Sequence, residues 1–351
     1  MNDIFLKACR REKTDRTPVW FMRQAGRYMK AYRTIRERYS LMEMFRNPDL
    51  VAEITLQPVR TFSVDAAIIF ADILLPIEGM GADFEFLEKQ GPVITNPLRS
   101  TGDIESLRIA DPQECLGYVL ESIRRVRIEL DDKLPLIGFA GAPFTLAGYM
   151  VEGGSSTSYT RTKQLMYHEP GAWNLLMEKL CCTLIAFLKA QVKAGAQVVQ
   201  LFDSWAGCLE PLDYRRYVLP YTRRIFDALD EENIPSIHFG TMTAGLLPLM
   251  AEAGGNVIGA DWRVSIGTAW KDVGETHGIQ GNLDPAAMFA PMEILKRKAA
   301  EILEEVAGRS GHIFNLGHGL LPQTPEDAVK SLTDFVHEFS NALSGRENAE
   351  P

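Results

Sequence analysis

The sequence predicts a single (β/α)8 barrel over residues 1–343, followed by a short disordered tail at 344–351. Three observations point there. Short, almost wholly apolar runs recur along the 351 residues, separated by stretches of helical periodicity. Strands that are apolar throughout, rather than alternating, belong in a parallel sheet covered by helices. Eight such units in about 330 residues suit one barrel with insertions, and polar residues stand at the ends of the runs, where barrels carry their active sites. A doubly wound sheet is the second possibility. It loses support because the chain has neither GxGxxG after a first strand nor GxxxxGK[ST].

The first run is Pro18-Val19-Trp20, and it leads into Phe21-Met22-Arg23-Gln24-Ala25-Gly26-Arg27-Tyr28. Two guanidiniums so close repel unless an anion lies between them, and arginine suits the bidentate grip of a carboxylate or phosphate. An anion-binding loop is one reading; a solvated turn paired with distant carboxylates is the other. Helix is expected over 41–62, with Asn47-Pro48-Asp49 marking a break or a start inside it. The second run, Asp65 to Phe70, stops at Ala71-Asp72, and a carboxylate set between apolar residues needs a partner. The stretch 79–101 is an irregular excursion or small hairpin, and helix follows over 112–130.

The third run, 134–139, enters Ala140-Gly141-Ala142-Pro143 and a helical stretch bearing Tyr149, with a long helix over 162–194 beyond it. The fourth, 197–202, ends at Asp203-Ser204, and helix follows over 212–230. The fifth, 234–239, contains His238; the sixth, 256–260, ends at Asp261-Trp262. The seventh, Ile279-Gln280-Gly281, leads to Asn282 and Asp284, with helix over 291–306. The eighth, 312–316, ends at Gly317-His318-Gly319. Thr324 as cap and Pro325 at the first helical position start a last helix that runs to Leu343. Among the strand-end residues, Asp261 and Asp284 also suit helix starts, and His238 suits a satisfied core position. Arg23, Arg27, Asp72 and His318 have apolar or glycine neighbours and are harder to explain structurally.

Composition narrows the function. Hydrophobic residues make up 46% and charged residues 24% of the chain, values typical of a soluble globular protein. No apolar run is long enough for a membrane span, and the first residues lack the apolar core of a signal peptide, so a cytoplasmic location is expected. Five cysteines without CxxC spacing suggest buried free thiols. The net charge of −9 argues against nucleic acid as a partner. Residues 7–46 nonetheless hold twelve Lys/Arg against four Asp/Glu, a local +8 that leaves −17 on the remainder. Such asymmetry suits a small polyanion met by the N-terminal segment. HExxH, GxSxG and His/Cys pairs at ligand spacing are all absent, and no lysine sits at a strand end. What is left, anion hooks and one buried carboxylate, suits a substrate that supplies its own electron sink.

Six stretches in order resemble the uroporphyrinogen decarboxylase family: Pro18 to Tyr28; Phe70-Ala71-Asp72-Ile73-Leu74; Gly141 to Leu146 with Tyr149 to Gly153; Phe202 to Gly207; Gln280 to Pro285; and Asn315 to Gly319. The resemblance implies a single-domain (β/α)8 barrel, a homodimer, and no metal or organic cofactor. It implies removal of the four acetate carboxylates of uroporphyrinogen III, an eight-carboxylate tetrapyrrole, giving coproporphyrinogen III. By motif, Arg23 and Arg27 would hold carboxylates with Gln24 beside them. Asp72 would accept the pyrrole N–H groups, and Tyr149, Ser204 and His318 would complete the pocket. Asp72, Arg23 and Tyr149 are the residues expected to take part in catalysis. A non-catalytic tetrapyrrole-binding protein is the alternative. A corrinoid-type methyltransferase with zinc on His and Cys is disfavoured, because His238 is followed by Phe239 and Gly240 and no cysteine follows Cys208.

Overall fold

The structure, a computed structural model, describes residues 3–87, 91–307 and 309–347. The apolar runs form one seven-stranded parallel sheet: β1 (Ala67–Ile68), β4 (Leu136–Gly141), β5 (Val198–Asp203), β6 (Ser236–Gly240), β7 (Val257–Gly259), β8 (Gly278–Gln280) and β9 (His312–Ile313). A separate antiparallel hairpin, β2 (Phe84–Leu87) with β3 (Gly91–Ile94), occupies the excursion after β1. Within the sheet each strand pairs with the next in the chain, β1 with β4 and so on to β9. A doubly wound sheet reverses its strand order at a switch point; this one never does.

The first expected strand is not a strand. Pro18-Val19-Trp20 contributes one parallel bridge, Val19 to Phe314. The physical reason lies in its bonding. Pro18 has no N–H to give to a ladder, so its carbonyl accepts from Phe314 N–H (2.9 Å) while Val19 N–H turns to the Asp65 carboxylate (2.8 Å). Val19 C=O in turn accepts from Asp65 N–H (2.8 Å). One short segment therefore bonds to the chain after β9 and to the chain before β1. The sheet curls enough for this, because Gln280 of β8 donates to Gln200 of β5 (3.1 Å) across the two strands between them. Gln280 also accepts from the Trp20 indole (3.0 Å).

Asp65 ties these segments together. It is 1% exposed, and its oxygens take both Nη atoms of Arg16 (3.0 and 2.6 Å) and Nε2 of His337 (2.7 Å) on the last helix. Burial alone raises its pKa, but the bonds and charges of His337 and Arg16 more than offset this, and the carboxyl stays below its usual range. Thr17 N–H adds a bond to Ser340 Oγ (3.0 Å) on the same helix.

A second substitution for strand pairing occurs between β1 and β4. Their ladder ends at Ile68–Ile137 and the bond from Ile69 N–H to Ile137 C=O. Beyond it, both backbone groups of Phe139 are satisfied by the Gln191 amide of the outer helix (2.9 Å each). Buried backbone groups need partners, and here a side chain supplies them where β1 has diverged.

The helices follow the expected order with more breaks. The 41–62 stretch is Leu41–Phe45 and Pro48–Phe62, the second capped by Asn47. The helix expected over 162–194 is Thr160–His168 and Pro170–Ala194, because Pro170 starts a new helix. The last helix runs Glu326–Glu347, so residues 344–347 of the expected disordered tail continue it; residues 348–351 lie outside those described. All five cysteines are free; Cys9 and Cys181 are buried as expected, but Cys115, Cys182 and Cys208 are only half-buried.

Candidate active site

The C-terminal ends of the parallel strands gather four of the expected residues. Asp72 follows β1, Tyr149 lies on the Pro143–Glu152 helix after β4, Ser204 follows β5 and His318 follows β9. Arg23 joins them from the segment that bridges to Phe314. Its backbone is left-handed, with φ 61°. The two glycines around His318 let neighbours close in. A Cβ on Gly319 would stand 2.5 Å from Arg23 Cδ, and one on Gly317 would stand 2.4 Å from the Trp262 nitrogen. At Gly317 the obstacle is backbone, so only glycine fits; at Gly319 it is the Arg23 side chain, which any larger residue would displace.

Electrostatics couple these groups. Burial pushes the Asp72 carboxyl above its usual range, while the Leu74 N–H it accepts (2.9 Å) and the Arg23 charge pull it back. Burial, and then the negative Asp72, push the Tyr149 hydroxyl to about 12, so it remains a neutral donor. Its ring stacks on Trp205 with centroids 3.9 Å apart. Burial, then the charges of Arg23 and Arg263, push His318 down to about 4, with Asp261 opposing. His318 Nδ1 accepts Gly319 N–H (2.7 Å), which leaves the proton of the neutral ring on Nε2. NMR of ring-labelled His318 should show the Nε2–H tautomer throughout pH 5–8 and a midpoint near 4; a midpoint near 6.5 would refute the burial. Between the ordinary value of 6.5 and about 4, the unfolded chain binds a proton that the folded one refuses. Acid in that window therefore weakens the fold.

Next to these groups, Phe139, Phe202 and Phe239 meet edge to face, with centroids 5.5 and 5.9 Å apart. Phe202 shares a face with Gln200 two residues before it, so this aromatic layer lines the concave side of the sheet.

The remaining polar groups have local bonds of their own. Gln24 is fully buried, and its amide is spent on Phe21 N–H (3.2 Å) and Ala66 C=O (3.1 Å). These bonds brace the Arg23 loop, a direction of the side chain that the motif does not carry. Arg27 is exposed and its charge acts on Tyr32, whereas Asp72, Tyr149 and His318 feel Arg23. Ser204 is half-buried, and its carbonyl accepts from Thr241 Oγ1 (2.5 Å). His238 is a core residue: it contacts Met250 C=O (3.3 Å) and packs on Phe226, on the helix side of the sheet. Asp203 accepts from Thr145 Oγ1 (3.2 Å), whose oxygen takes the Trp205 N–H (3.2 Å). Asp284 caps the turn at Ala286 and Asn282 braces the carbonyls of Asp261 and Val264. Sequence reasoning missed Arg263, hidden behind the interpretation of Asp261 as a helix-start residue. Among the described residues, no group of three or more His, Cys, Asp or Glu is arranged to hold a metal.

A parallel sheet with polar groups at its C-terminal end defines an α/β enzyme class, and solved structures share the fold. A methyltransferase from Methanosarcina mazei matches with a TM-score of 0.79 and 21% identity, covering 95% of this chain and 97% of that one. At such identity the likeness concerns fold alone. Sequence is more specific. The family description "Uroporphyrinogen decarboxylase (URO-D)" matches residues 1–339. The chain is 54% identical over 341 residues to a uroporphyrinogen decarboxylase of Carboxydothermus hydrogenoformans, covering 97% of each. It is 56% identical over 342 residues to one of Sorangium cellulosum, covering 97% of this chain and 98% of that protein. The chain belongs to the uroporphyrinogen decarboxylase family.

Proposed function

We propose that the chain is a uroporphyrinogen decarboxylase that removes the acetate carboxylates of uroporphyrinogen III one at a time, and that residues 1–343 form one closed (β/α)8 barrel. Family membership supports the reaction. The bonds of Val19 to both ends of the curled sheet support closure. The observation that carries the site assignment is the mutual coupling of Asp72, Arg23 and Tyr149 at the strand ends.

Each turnover consumes one proton and releases one CO2. A proton added to a ring carbon makes the pyrrole cationic. The C–C bond to the acetate carboxylate then breaks and its electron pair enters the ring; a proton taken up by the exocyclic methylene gives the methyl group, and the ring carbon releases the proton it first received, so that one proton is consumed in all. Asp72, ionised, accepts the pyrrole N–H groups and stabilises the cation in a site of low dielectric. Arg23 holds the reacting carboxylate in place. It is a poor acid, so the proton comes from a water or group that Arg23 and Tyr149 orient. The neutral His318 Nε2–H and the Ser204 hydroxyl donate to further substrate oxygens, and the exposed Arg27 meets a peripheral carboxylate. Gln24 is a positioning residue for Arg23. No metal or organic cofactor has a step in this scheme. A homodimer and a cytoplasmic location follow from the family resemblance; none of the described helices is long and apolar enough to cross a membrane.

The test is anaerobic incubation in the dark of metal-stripped protein with uroporphyrinogen III, followed by oxidation and separation by carboxylate number. Species with seven down to four carboxylates are expected. Tight binding without conversion would overturn catalysis and leave a binding protein.

A further inference from the structure

Arg263 has an unusual setting for a surface arginine. It follows β7 at the strand end that carries the site. Its guanidinium lies over the Trp262 ring, 4.0 Å from the centroid, and Trp262 packs against Gly317. Arg23 packs against Gly319 on the other side of His318. The loop that carries His318 is therefore packed on Trp262 at one end and on Arg23 at the other, and the charges of both Arg23 and Arg263 reach the imidazole. A plain ion pair with Asp261 would be the bland explanation, since Nη1 lies 2.5 Å from Asp261 Oδ2. Asp261, however, is 2% exposed and already accepts two backbone N–H groups, those of Arg263 (3.0 Å) and Met242 (2.5 Å). It is a hydrogen-bonded carboxylate with or without the guanidinium. Only one of the five N–H donors of the arginine fork is used on it. Among the described residues, the Arg263 side chain makes no other hydrogen bond, and it is 42% exposed.

We propose that Arg263 is a substrate-binding residue that holds one peripheral carboxylate of the tetrapyrrole at the Trp262 end of the His318 loop. The inference rests on the decarboxylase reading above. Stacking on Trp262 fixes the plane of the fork before the substrate arrives, which lowers the entropic cost of a directed grip. Asp261 holds one edge of the guanidinium and leaves donors for an incoming carboxylate. The charge of Arg263 already acts on His318 in the folded chain, consistent with proximity of the two.

The test compares wild type, Arg263→Gln, Arg263→Lys and Asp261→Asn in steady-state turnover of uroporphyrinogen III at several salt concentrations. Arg263→Gln should raise KM about tenfold, equal to about 1.4 kcal/mol, with kcat within about twofold. The salt dependence of KM should become shallower, because one screened contact is gone. Arg263→Lys should fall between the two, keeping charge without the fork. Asp261→Asn should raise KM by less than Arg263→Gln, since the cation and its stacking on Trp262 remain while one hold on the fork is weakened. An unchanged KM in Arg263→Gln overturns the proposal. So does a fall in kcat at constant KM, which marks a role exercised through Asp261. Titration of uroporphyrin III, an oxidised and unreactive polycarboxylate, separates this proposal from the decarboxylase reading. A wild type that binds uroporphyrin III but never converts uroporphyrinogen III defeats the reaction, while about tenfold weaker binding of uroporphyrin III by Arg263→Gln still supports the carboxylate contact.

Discussion

Asp72→Asn should lose about 10²–10³-fold or more in kcat while the protein folds as before, because removing one preorganised charge from a buried site costs on that order. The asparagine keeps the shape of the side chain and can still accept the Leu74 N–H that Asp72 accepts at 2.9 Å. It lacks the negative charge, and its amide hydrogens oppose the pyrrole N–H groups. Stability should not fall. Burial already disfavours the ionised Asp72 carboxyl, so a neutral group is no harder to keep there. Anaerobic rates and thermal unfolding measured on the same preparation give both quantities. Wild-type turnover in a folded variant would remove Asp72 from the centre of the reaction.

Asp65→Ala should have the largest effect on stability. Arg16, His337 and the Val19 N–H would each lose a buried partner, and breaking a buried pair from one side costs about 3–5 kcal/mol. Urea unfolding would measure it, and a loss below about 1 kcal/mol would show that the clasp is dispensable. The pH dependence has a definite sign. The folded Asp65 carboxyl lies below its ordinary value of 3.8. Its contribution is therefore complete above that value and disappears as the pH falls through the folded one. Wild type should lose this stability in strong acid, and Asp65→Ala should have none to lose there.

Much of the fold was legible because parallel strands buried on both faces announce themselves. Leu136–Gly141 is buried at every position, and the sequence shows it as an unbroken apolar run. The Pro18 segment has the same apolar character, yet it makes a single bridge because Pro18 has no N–H to give and the Val19 N–H goes to Asp65. The break at Pro170 was misjudged for the opposite reason: both flanks are good helix, and only the start of a new turn distinguishes them. The site divided in the same way. Arg23, Asp72 and His318 stood out because charged groups beside apolar or glycine neighbours need an explanation. The motif sets Gln24 beside the two arginines, and the turn of its amide toward Phe21 and Ala66 is a direction that no sequence pattern carries. Asp65 looked like the first residue of a strand. Its partners Arg16 and His337 are remote in sequence, and no local pattern announces a bond between residues 272 positions apart.

The clasp has a consequence for the order of events during synthesis. The pairing surface for Val19 is made at Phe314, and Thr17 waits for Ser340, a separation of 323 residues. Contacts so distant along the chain form late. The arginine-rich segment 7–46 is therefore made long before its distant neighbours, and Val19 and Trp20 wait for Phe314 and Gln280. Exposed segments of this kind are where a nascent chain associates wrongly. A chain cut short before His337 would thus be left open at its first residues as well as its last, with the Arg23 loop as the part deprived of its support.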